Sequence, residues 1–182
     1  TLPIDNKVDS QSISSDPSFE VVTVDPRLKS NGKGVITVPV VIINYLPPTA
    51  DGIYLDPYKS LTSNVPWDAA HKLTIAQCKT KILNDKIIMK NEIEEGSRYH
   101  DYATNTTRPY VNIDVVAYIN VKSVNLYKVS TKQTDTTLNP TNKNLVTIDW
   151  YNVDFNELLT RVKLQNYVES LGVKEVWFTS WP

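Results

Sequence analysis

Apolar residues fall along this chain in two rhythms, and the alternation between them predicts the architecture. Val35–Leu46 is apolar and β-branched without interruption from Val40 to Ile43. A strand of that kind is covered on both faces, as in a sheet flanked by helices. Pro39 has no N–H for a ladder bond, so it belongs at a bulge or on an unpaired side. Pro47-Pro48 ends the strand, and a long loop runs through Asp51-Gly52 and Asp56-Pro57 to Trp67. From Thr74 the period changes. Ile75, Cys78, Ile82, Met89 and Ile93, joined by Ala76, Leu83 and Ile87, recur on one broad helical face. Thr74 and Gln77 have the spacing of a capping box, and Gly96 is the expected left-handed stop.

The second half repeats the grammar. Val111 to Val129 reads as extended, with Ile113, Val115, Ala117, Ile119 and Val121 expected on one face. Ser130 to Asn144, rich in Thr, Asn and Lys, reads as a mobile excursion, and Leu145–Ile148 as a short strand. Asp154, with Glu157 three residues on, should cap a helix that turns Phe155, Leu158, Leu159, Val162 and Leu171 inward. Gly172 stops it, and Val173–Phe178 is a closing strand, apolar on both faces. At the other end Phe19–Val24 is a short β-like run, while residues 1–18 are Ser/Asp/Asn-rich and read as a flexible leader. The expectation is an α/β fold: one domain over 19–182, a mixed sheet of about five strands and two main helices.

Composition narrows the function classes. The chain has 182 residues and a formal net charge of −1, with 19 basic and 20 acidic residues interspersed. No basic cluster offers a footprint for nucleic acid, and no apolar run approaches the ~20 residues of a membrane-spanning helix. Five glycines form no phosphate-binding loop, which argues against nucleotide cofactors. The two histidines, His71 and His100, lack metal-ligand spacing, so no cofactor is expected; a calcium ion held by loop Asp residues stays compatible with the sequence. Cys78, the one cysteine, falls on the apolar helical face and reads as a small core residue.

Ligands of open α/β sheets collect beyond the carboxyl ends of the strands. That rule selects Asn44, Tyr45, Asp51 and Asp56 after the first strong strand, and Thr179, Ser180 and Trp181 after the last. Polar groups beside aromatic rings suit a sugar or a small polar ligand, although Asp51-Gly52 and Asp56-Pro57 also read as ordinary turns. A second candidate is the run Glu92–Asp101, where Glu94 or Glu95 beside Arg98, Tyr99 and His100 could join a carboxylate to basic partners for acid–base work. At a helix end, the same residues can equally serve the helix dipole. Trp177 belongs to the core, and Trp181 is the better stacking platform. Asn105-Thr-Thr107 is an N-glycosylation sequon in a predicted loop.

Three blocks, Val41–Gly52 (VIINYLPPTADG), Glu94–Tyr102 (EEGSRYHDY) and Asn166–Trp177 (NYVESLGVKEVW), together resemble a group of exported, mostly bacterial proteins of uncharacterised function. The resemblance spans roughly residues 35–181. It implies a secreted or cell-surface location and carries no activity with it. Members of that group continue past the last strand, which implies that residues 19–182 are the N-terminal part of a larger fold or a shortened relative. The functional expectation is a binding or surface-assembly protein with a polysaccharide or protein ligand. The alternative is a hydrolase-like domain using Glu95 or Asp51 with Arg98 and His100.

Overall fold

The computed structural model describes residues 16–56, 73–101, 108–134 and 145–180, with backbone alone at 100–101, 126–134 and 145–151. Strand β1 (Phe19–Val22) is followed by a single 3-10 turn, Pro26–Leu28, and by β2 (Ile36–Tyr45). Helix α1 (Ile75–Gly96) leads to β3 (Val111–Val121), the hairpin strands β4 (Leu126–Thr134) and β5 (Leu145–Val153), helices α2 (Phe155–Arg161) and α3 (Leu164–Leu171), and β6 (Glu175–Ser180). Four strands form one mixed sheet in the order β1-β3-β2-β6, while β4 and β5 pair with each other. β2 is parallel to both β3 and β6, and β1 is antiparallel to β3. The α/β class and the mixed sheet are those read from the pattern. Ser130–Thr134, expected to open an excursion, instead continues β4, because Leu145–Asp149 supplies its ladder partners.

The central strand explains the two-sided apolar run. Val40 and Ile42 face a core with Ile113, Val115, Tyr118, Trp177 and the α1 residues Leu83, Ile87 and Met89. Val41, Ile43 and Tyr45 face a second core with Ala117, Ile119, Val121 and, from α2 and α3, Leu158, Val162 and Tyr167. One helical layer therefore covers each face of the sheet. The expectation that Ile113 through Val121 share a face is corrected. Val40 pairs with Val115 but Val41 with Ala117, so Val116 is an extra residue that turns the rest of β3 over. Pro39 lies one residue before this bulge and one before β6 pairing begins, where its missing N–H costs no ladder bond.

The caps fall where the side-chain chemistry puts them. Thr74 and Gln77 exchange both capping-box bonds, and Asp154 accepts from the Glu157 N–H. Gly96, however, is not a left-handed stop. Ser97 continues in the right-handed region and the chain runs on into a 3-10 turn, Ser97–Asp101, because Ser97 Oγ bonds back to the Glu94 carbonyl. The second helix is two, broken at Lys163, whose φ of 54° and ψ of 43° are left-handed. Phe155, assigned inward, is half-exposed at the start of α2 and meets the Phe178 ring edge-on at 5.0 Å. Gly172, at φ 64°, ends α3 as expected.

Toward its C-terminus the buried stripe of α1 turns from apolar to charged: Cys78 and Ile82 give way to Lys90 and Glu94. Ile93, assigned inward by the period, is instead 38% exposed. Glu94 accepts from Lys90 Nζ and from the Ile113 backbone N–H, both at 2.8 Å. β1 pairs with residues 118–121, so among the described residues the first half of β3 has no strand beside it on that side. Glu94 and Ser97 bond its N–H groups instead, and Lys29 Nζ takes the Val115 carbonyl at 3.0 Å. Of the expected leader, Asp16 to Ser18 are described. Asp16 pairs with Arg161 at 2.8 Å, and the Arg161 guanidinium lies 4.7 Å from the Phe19 ring centre.

Candidate functional site

Between β2 and β3 the connections part. β2 leads to α1 on one face of the sheet, and β3 leads to the hairpin, α2 and α3 on the other. The carboxyl ends of these two neighbouring parallel strands thus flank a topological switch point, the usual place for a ligand in an open α/β sheet. Asn44 and Asn120 are register partners there, flanked by Glu20 on the edge strand β1 and by Thr179 on the opposite edge strand β6. The result is a polar row across four strands on the α1 face, next to the core row Val22, Tyr118, Ile42 and Trp177.

The row is hydrogen-bonded in one direction. Asn44 Nδ2 donates to Asn120 Oδ1 at 3.2 Å, and Asn120 Nδ2 donates to Glu20 Oε2 at 3.5 Å. Lys79, from the second turn of α1, closes the outer end by donating to Glu20 Oε2 at 2.6 Å. Asn44 is fully buried and Asn120 nearly so, whereas the Glu20 and Lys79 side chains are 38% and 35% exposed. The Lys79 hydrogen bond holds the Glu20 carboxyl below its ordinary value against the opposing effect of burial. Burial raises the Tyr118 phenol, partly offset by a hydrogen bond from Asn44. Asn44 Oδ1 and Thr179 Oγ1 are buried with no hydrogen-bond partner among the described residues. Two orphaned oxygens in register-paired positions are a departure from the rule that buried polar groups are satisfied.

Two clefts flank this row. A groove of about 340 Å³ runs between β1 and α1, with Glu20, Lys79, Tyr118 and Asn120 as its polar lining and Val22, Val24 and Leu83 as its apolar wall. Asp25 also lines it, held by Arg27 at 2.8 Å and thereby lowered to about 2. The second, of about 480 Å³, lies beyond the strand ends, between Pro17-Ser18, Tyr45, Pro48 and Lys122–Asn125.

The structure brings together only part of the residues selected from the sequence. Asn44 joins the buried row. Tyr45 lines the second cleft with its side chain almost wholly buried, and burial with the nearby Asp56 charge pushes its phenol up to about 12. Asp51 serves its own turn, accepting from Thr49 Oγ1 at 2.6 Å and the Ile53 N–H at 3.0 Å, with Gly52 at φ 74°. Glu95 and Arg98 pair with each other on the surface, and Tyr99 is 69% exposed. Glu95 lies in the last turn of α1 and Arg98 and Tyr99 just past it, while Glu94 is turned into the core onto Lys90; Asp51 lies by the first turn, where Ile75 N–H bonds the Ile53 carbonyl. The 22-residue helix, about 33 Å long, stands between Asp51 and Arg98. The His100 side chain, the Asn105 sequon and Trp181 lie outside the described residues.

No protein-family model, curated protein or solved structure matches this chain. The site therefore rests on its own geometry. Among the described residues no group of three or more His, Cys, Asp or Glu could hold a metal ion, and no helix is long and apolar enough to cross a membrane. Glu20, Lys79 and Asn120 escaped the sequence reading because nothing local marks them. Glu20 and Asn120 stand 100 residues apart and meet only through β1–β3 pairing. Asn120 does carry one signal, a polar residue inside an apolar strand run.

Proposed function

We propose that this is an exported or cell-surface binding protein that holds a polysaccharide at the carboxyl ends of β2 and β3 without chemically altering it. The observation that carries this reading is the buried polar row Glu20–Asn120–Asn44–Thr179 at the switch point, opening at Glu20 into a groove with an apolar wall. Amides, a carboxylate and an ammonium group beside a tyrosine are the donors and acceptors that recognise sugar hydroxyls, and the apolar wall suits the C–H face of the ring. Both carboxylates of the groove are held low by basic partners, Glu20 by Lys79 and Asp25 by Arg27. Such groups accept hydrogen bonds at neutral pH but are poorly matched to delivering protons. Location is supported by the resemblance of the three sequence blocks to exported proteins and by a polar, weakly charged composition.

A glycan array read with the protein and with Glu20→Gln and Lys79→Ala tests this. We expect binding of at least one polysaccharide class, weakened about tenfold or more in both variants, the loss of one or two hydrogen bonds at a binding site. An array without any hit, or hits that both variants retain at full strength, would sink the reading. Turnover of a bound glycan into shorter products would show catalysis and overturn its non-catalytic part.

A further inference from the structure

The two clefts at the carboxyl end have a shared border. On β1 and β3 the Glu20–Asn120 pair lines the groove beside α1, and just past the end of the ladder at Phe19–Val121 the Lys122 N–H bonds the Ser18 carbonyl at 2.7 Å. Ser18 and Lys122 line the second cleft. One pair, Phe19 with Val121, lies between these residues and the Glu20–Asn120 pair, an offset of two residue steps or about 7 Å. The Lys122 charge also lies close enough to Glu20 to help hold its carboxyl down. The two clefts are therefore lined from the β1–β3 ladder and from its continuation, with polar groups on either side of the junction: Glu20, Lys79 and Asn120 on one, and Ser18, Lys122, Ser123 and Asn125 on the other.

Resting on the saccharide reading above, we infer that the two clefts are adjoining subsites for one chain. The ligand is an extended run of several sugar units that crosses the Glu20–Lys122 junction. The lining is in keeping with such a chain. The groove beside α1 has an apolar wall and one ion pair, suited to a ring lying flat with its hydroxyls on Glu20 and Lys79. The second cleft is lined by hydroxyl, amide and ammonium side chains and by two prolines, Pro17 and Pro48, suited to a more solvated unit. A single sugar would engage one set of groups. A chain engages both, and each hydrogen bond it makes in the second subsite multiplies the affinity of the first.

Calorimetric titration with glucose-, xylose-, mannose- and N-acetylglucosamine-based hexasaccharides of β-1,4 linkage, and with each monosaccharide, tests this. The expected result is that the sugar series that binds does so at least about tenfold tighter as the hexamer than as the monomer. Lys79→Ala, in the groove, and Lys122→Ala with Asn125→Ala, in the second cleft, should each weaken the hexamer. These three side chains are partly or fully exposed, so the fold is retained, and circular dichroism checks that it is. Equal affinity for monomer and hexamer overturns the two-subsite inference and leaves the saccharide reading standing. So does hexamer binding that the Lys122 and Asn125 variants leave untouched. Absence of binding across all four series overturns both.

Discussion

Tyr45 ends β2 with its ring in the core shared with α2 and α3 and its phenol close to Asp56. Ionising it would place a charge in that core beside another of the same sign, which is why its value rises from 10.0 to about 12. The folded value stands above the unfolded one. As pH climbs past 10 the unfolded chain gives up this proton first, so the stability that Tyr45 contributes is complete below pH 10 and drains away between 10 and 12. Tyr118 and Tyr167 shift in the same direction, both through burial. Unfolding free energies from urea titrations at about pH 8 and pH 11.5 should fall less in Tyr45→Phe than in the native chain, by on the order of 2 kcal/mol. Equal losses in the two proteins would show that this phenol does not oppose ionisation. At this scale the sequence was informative for Asn44 and Tyr45, which the strand-end rule selects from a local run. It was silent on Lys79 and Glu20, whose roles come from a contact between residues 59 positions apart.

Among the elements, what the sequence displayed were the local hydrogen-bonding devices. Thr74 with Gln77, Asp154 with Glu157, and Gly172 each work within four residues, and each is found in the structure. The bulge at Val116 had no such mark. It is a valine among valines, and only the pairing of β2 with β3 shows that an extra residue has turned the strand over. Lys163 was hidden for a related reason. The break between α2 and α3 places a lysine in left-handed geometry, which an L-residue adopts at a cost of roughly 1 kcal/mol. Its side chain is exposed and makes no cap hydrogen bond, so tertiary packing of the helices on either side imposes the conformation. Val162 and Tyr167, buried on both sides of the joint, are the residues that this turn brings onto the sheet. Lys163→Gly should relieve the strain and raise stability by about 0.5 kcal/mol after the larger entropy loss of glycine is subtracted. Thermal or urea denaturation reads this directly, and a loss of stability would mean that Lys163 is held by a favourable contact rather than by its neighbours.

For the whole molecule, the consequence of a sheet covered on both faces is that β2 is the most deeply enclosed element. It has a parallel neighbour on each side, and residues 40 to 46 are all buried. The β4–β5 hairpin is differently placed. Among the described residues its two strands pair only with each other, and Val124 and Val153 at its base belong to the main core. A two-stranded ribbon has little stability of its own in water. Opening it beyond that base should leave both faces of the main sheet covered, since α1 lies on one and α2 with α3 on the other. Local unfolding free energies then divide into two tiers. Amide hydrogen exchange followed by NMR or mass spectrometry should find the β2 amides from Val41 to Asn44, and their β3 partners from Ala117 to Asn120, exchanging only through global unfolding. The hairpin amides distal to Val153 should exchange through a smaller opening that leaves the Glu20–Asn120–Asn44 row intact. Because the row and both clefts are built from the main sheet, α1 and the loops at the strand ends, ligand added to saturation should slow exchange around Asn44 and Asn120 and leave the hairpin's rate unchanged. Hairpin amides as slow as those of β2, or slowed equally by ligand, would show that the two sheets unfold as one unit and that the site draws on both.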